Sequence, residues 1–92
     1  VGPDAARAAL AAVRRALYLD PTLVVAQLLL ATLLHRLGRA TLAGRAIDAA
    51  MHALHHLPDD AVVPAGDGAS VARLRAIARV QRALVQRALV RG

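Results

Sequence analysis

The chain has ninety-two residues, with twelve arginines, six aspartates and a formal charge of +6. It reads as one small domain, too short for a sheet-based enzyme with a nucleotide-binding half. Of its residues 58% are hydrophobic, but 23 Ala, 16 Leu, two Ile and a lone aromatic, Tyr18, favour helix and argue against a β-sandwich or barrel. A mean hydropathy of +0.48 with 20% charged residues argues against disorder, and the absence of cysteine removes a disulfide framework or a thiolate metal site.

Pro3 and Asp4 suit a first helical turn, and Leu10, Val13 and Leu17 with Ala9 and Ala16 continue an inner face as far as residue 19. Asp20-Pro21 stops that helix and supplies the cap and first residue of a second, expected over 21–37 and ended by Gly38. The apolar stretch 23–34 lies inside it and falls short of the ~18–20 residues a membrane span needs, so it predicts a buried core helix. A third helix is expected over 40–57, ended by Pro58. Residues 58–69 form a loop with Pro, Gly and Asp. In it Val62 and Val63 are expected to tuck against the helices, and Gly66-Asp67-Gly68 to make a turn rather than a phosphate cradle. Ser70 caps a fourth helix over 70–91, whose positions 71, 74, 77, 78, 81, 84, 85 and 88 keep helical spacing. Short connections predict an all-α antiparallel hairpin array of about four helices in a single domain, 1–92.

The elements also repeat. Ala9, Val13, Ala16 and Pro21 recur about 34 residues later as Ala43, Ile47, Ala50 and His55, with Leu30, Ala31, Leu34 and Gly38 between them. Small residues at 9, 31, 43 and 50 would let helix backbones approach closely while Leu30, Leu34 and Ile47 fill the gaps. Residues 5–57 thus resemble one and a half tetratricopeptide repeats, with the last helix capping the end. Gln27 and Leu34 depart from the aromatic residues that the repeat prefers, and Pro58 comes three residues late for the second terminal proline.

A closer likeness lies in Arg14-Arg15-Ala16-Leu17-Tyr18-Leu19-Asp20-Pro21, in Leu37-Gly38-Arg39, and in the run from Leu57-Pro58-Asp59-Asp60 to Asp67-Gly68-Ala69-Ser70-Val71-Ala72-Arg73-Leu74. In this order they resemble the tetratricopeptide-like C-terminal tail of chemotaxis-type (CheR-like) protein-glutamate methyltransferases, over nearly the whole chain. The resemblance implies a non-catalytic, cytoplasmic signal-transduction domain. It would dock a receptor, a signalling protein or its own S-adenosylmethionine-dependent catalytic domain, which would lie upstream of Val1. It implies neither catalysis nor a cofactor for this chain.

The residues leave other chemistry open. Intrinsic activity is not expected, because Ser70 has no placed base and no pair of carboxylates is spaced for acid–base work. Asp48, His52 and His55 or His56 share a helix face that would suit zinc. A solvated face near a helix C-terminus, where cationic His is favoured, is the alternative, and no metal is expected. Val25, Leu28, Thr32, His35 and Arg36 would line the concave groove that the repeat resemblance implies, taking a peptide with an apolar anchor and an acidic end. The alternative is that the fourth helix or the catalytic domain covers Val25 and Leu28. Arg75, Arg79 and Arg82 form a basic face, read as a solvated surface, with a nucleic-acid or acidic surface as the alternative function. Without aromatics to stack bases, nucleic acid is the lesser expectation. One and a half repeats is few for a stable array, so either the last helix supplies the missing packing or the chain forms a homodimer.

Overall fold

The computed structural model describes residues 3–63 and 68–91. They form α1 (Pro3–Leu19), α2 (Val24–Arg36), α3 (Ala40–His55) and α4 (Val71–Arg91). Each helix packs on the one before it, and α4 also reaches back to α2. The only extended pairing among the described residues is an isolated antiparallel bridge between Val62 and Ser70. The architecture is the all-α array of four helices that the composition and short connections predict.

The first turn differs from expectation. The Asp20 carboxylate accepts the Thr22 hydroxyl at 2.6 Å and the Thr22 N–H at 3.1 Å, closing a local turn instead of capping a helix. A side chain bonded to the backbone two residues on competes with helix. The α2 helix therefore begins three residues late, after an extended Leu23 with φ −68° and ψ 99°. Gln27 braces this turn by donating to the Pro21 carbonyl at 3.3 Å. The Thr22 hydroxyl, and then its N–H, hold the Asp20 carboxyl below its ordinary value of 3.8.

The second turn matches the sequence reading. Gly38 has φ +76°, the Arg39 N–H returns to the Leu34 carbonyl at 2.8 Å, and the Gly38 N–H returns to His35 at 3.1 Å. These two bonds satisfy the last carbonyls of α2. A Cβ at Gly38 would meet nothing within 4 Å, so the backbone angle alone demands glycine here.

The core centres on α3. Ala43, Ile47, Ala50 and Leu54, spaced 4, 3 and 4 residues apart, are fully buried. Val24, Leu28, Ala31 and Leu34 meet them from α2, and Val71, Leu74, Ala78 and Val85 from α4. Leu10 and Val13 of α1 complete the cluster. Alanine on facing helices brings backbones together, and a Cβ at Gly44 would already lie 3.9 Å from Val85. Of the two loop valines Val63 is buried but Val62 is exposed, against the expectation for both. Gly68 takes φ +78° as its turn requires, while Gly66 and Asp67 lie outside the described residues.

Ile47→Ala should cost about 2–5 kcal/mol, because neighbours on two helices prevent collapse of the cavity. Urea denaturation read by circular dichroism measures it. For Asp20, whose carboxyl titrates below 3.8, the stabilisation is present above that pH and is lost as pH falls through the lowered value. Asp20→Asn should therefore lower stability at neutral pH and flatten the acid limb, the two proteins converging as pH falls through the lowered value.

Candidate functional site

The junction between α3 and α4 is held by polar groups. The Val71 N–H donates to the Ala61 carbonyl at 2.9 Å and the Ala72 N–H to the Asp59 carbonyl at 3.1 Å. Ser70 Oγ accepts the Arg73 N–H at 3.2 Å, and the Ser70 carbonyl accepts the Leu74 N–H at 3.1 Å. All four opening N–H groups of α4 thus have partners, as a helix start requires. Ser70 is the helix cap that the sequence indicates. At the other end of the loop, Arg75 donates to the carbonyls of Leu54 at 2.7 Å and Leu57 at 2.8 Å, and pairs with Asp59. A guanidinium at the carbonyl end of α3 also complements that helix's dipole.

Arg75 is therefore not part of an open basic face. Arg82 pairs with Asp48 and lies 3.6 Å from the Met51 sulfur, again on α3. Arg79 alone of the three is exposed. The side of α4 that carries these arginines borders α3. Their partners stand 16 and 34 residues away, beyond the reach of helical spacing. Of the basic stripe, only Arg79 is left for phosphate or an acidic surface.

The expected groove is also covered in the middle. Leu28 is 5% exposed and belongs to the core. The Thr32 hydroxyl donates to the Leu28 carbonyl at 3.2 Å. From α4, Gln81 Nε2 donates to Thr32 Oγ at 2.8 Å and to the Leu28 carbonyl at 3.3 Å. Helix α4 therefore lies over Leu28 and Thr32. Val25 is half-buried and lines an apolar cavity of about 290 Å³ between α1 and α2, with Ala12, Val13, Ala16, Leu23, Ala26 and Leu29. His35 is half-buried and Arg36 is exposed. The five residues do not make one open strip. The open large apolar residue at the cavity is Leu29, one position beyond Leu28. Sequence reasoning misses it because 23–34 is apolar almost all round and its periodicity has no clear phase.

Three of the four histidines gather at the end of α3. The rings of His52 and His56 lie 5.5 Å apart and those of His55 and His56 5.3 Å apart, edge to face. Asp48 is engaged by Arg82. Among the described residues no three His, Cys, Asp or Glu side chains are grouped to hold a metal. No described helix is long and apolar enough to cross a membrane.

Exposed large apolar side chains occur on every helix and in the loop, and two sets of them lie next to arginines. Tyr18 is 88% and Leu19 83% exposed at the end of α1, beside Arg14 and Arg15 with which they line a shallow pocket. Ile77, Val80 and Leu84 lie along the outside of α4. No protein-family model matches the chain, and no curated protein or solved structure is significantly similar to it.

Gln81 Oε1 is buried without a hydrogen-bond partner. Gln81→Leu removes that unmet acceptor, while Thr32 keeps its bond to Leu28. It should therefore be neutral or raise stability by up to about 1 kcal/mol, measured as the urea midpoint.

Proposed function

We propose that this chain is a non-catalytic protein-interaction domain, the tail of a chemotaxis-type protein-glutamate methyltransferase with tetratricopeptide-like organisation. It docks a signalling partner or its own catalytic domain, and no bond is made or broken in it. The observation that carries this reading is the exposure of Tyr18 and Leu19. They sit in the Arg-Ala-Leu-Tyr-Leu-Asp-Pro string, the most specific part of the family resemblance, yet this fold does not use either of them in its core. Large apolar side chains that a small domain leaves in water, rimmed by Arg14 and Arg15, mark a surface that another protein covers. Docking there buries an aromatic anchor, the residue type that dominates interface energetics. Asp20 and Thr22 fix the turn just beyond it, so the anchor stands on a rigid helix end.

Two separately expressed proteins test this: the present chain, and a chemotaxis-type methyltransferase catalytic domain from the same genome. They should co-elute on size exclusion. Replacing both Tyr18 and Leu19 by Ser should abolish co-elution while changing the fold's stability by less than about 0.5 kcal/mol, as expected for surface positions. Co-elution unaffected by the double substitution would rule out this surface.

A further inference from the structure

Helix α4 carries a second unpartnered face. Counting along it, Arg73, Ile77, Val80, Leu84 and Arg87 follow one another at intervals of 4, 3, 4 and 3 residues. That alternation is the seam spacing of helices that pack along their length. Val80 at its centre is 63% exposed, Ile77 40% and Leu84 46%, and the arginines at both ends are exposed. The opposite side of α4 is committed: Val71, Leu74, Ala78 and Val85 are in the core, and Arg75 and Arg82 are paired to α3. Helices α1, α2 and α3 each receive the following helix on one side. The face that α4 leaves open among the described residues has a branched apolar centre.

The charges decide what fits. Arg73 and Arg87 stand 14 residues apart along α4, about 21 Å. A second copy laid antiparallel about Val80 would bring Arg73 against Arg87 of its mate at both ends. A parallel copy would oppose like arginines, and each chain brings a charge of +6. Carboxylates at the two ends of an apolar helix would instead meet two guanidinium forks in charge-assisted hydrogen bonds.

We propose that this face of α4 docks an acidic amphipathic helix of a partner protein, with apolar residues at the same alternating spacing and Asp or Glu at each end. The proposal rests on the protein-interaction reading but uses a different surface from Tyr18 and Leu19. The partner helix lies along Ile77, Val80 and Leu84, and its terminal carboxylates pair with Arg73 and Arg87.

Two synthetic helical peptides of about 18 residues, long enough to span about 27 Å, test it by fluorescence anisotropy. Both carry Leu at the seam positions; one has Glu at the ends and the other Lys. The Glu peptide should bind, and the Lys peptide should bind at least about tenfold more weakly, with the difference shrinking in high salt. Val80→Gln, which keeps helix propensity, should weaken the Glu peptide about tenfold, and Arg87→Gln should narrow the gap between the peptides. Circular dichroism confirms that both variants keep their helicity. Absence of binding by the Glu peptide overturns the proposal, as does equal binding of the two peptides or indifference to Val80→Gln. A dimer in sedimentation equilibrium that Val80→Gln dissolves also overturns it, because the occupant is then a second copy. If the Glu peptide fails but co-elution through Tyr18 and Leu19 persists, this inference alone falls; if both fail, the interaction reading falls with it.

Discussion

The α3 helix is covered on both sides, and the rest of the molecule depends on that. Its column of Ala43, Ile47, Ala50 and Leu54 meets α2 on one side and α4 on the other. Two of the four are alanines, so the neighbouring helices approach closely, while the two larger side chains fill the space between them. In a chain of 92 residues with no disulfide and no Phe or Trp, burial gained from both flanks of one helix is the main source of stability. It also sets where function can lie, since surfaces turned toward α3 are spent.

The arginines show the consequence. A net charge of +6 invites an electrostatic role, and the spacing of Arg75, Arg79 and Arg82 invites assigning that role to one stripe. Arg75 instead closes the end of α3 and ties it to Asp59, and Arg82 ties α4 to Asp48. Both pairs are largely solvent-accessible, so their worth lies in positioning more than in raw stability. With the backbone bonds from Ala61 and Asp59, they fix the position of α4 on α3. Gln81 does the same toward α2, at the cost of an unsatisfied carbonyl oxygen. A polar residue that selects one packing arrangement over others is a known use of such a group.

Two of the apolar sets left on the surface are bordered by arginine. Tyr18 and Leu19 crown the end of α1, and Ile77, Val80 and Leu84 run along α4.

Helix existence and type were determined by the sequence itself. Alanine and leucine at helical spacing, Gly38 in a left-handed turn and Ser70 at a helix start act within a few residues, and local steric and hydrogen-bonding rules are enough to read them. The turn at Asp20 was misread because Thr22 competed for the carboxylate, a local effect that a capping rule overlooks. Which face of a helix stays open was decided only by tertiary structure. Leu28 and Thr32 lie under α4, while Leu29 beside them is exposed. Arg75 and Arg82 turn to aspartates far away in sequence, and the seam at 77, 80 and 84 is left outside. Spacing along one helix gives the angles between its side chains. It does not give the direction from which the neighbouring helix arrives, and that direction determines which side chains are buried and which remain free to bind.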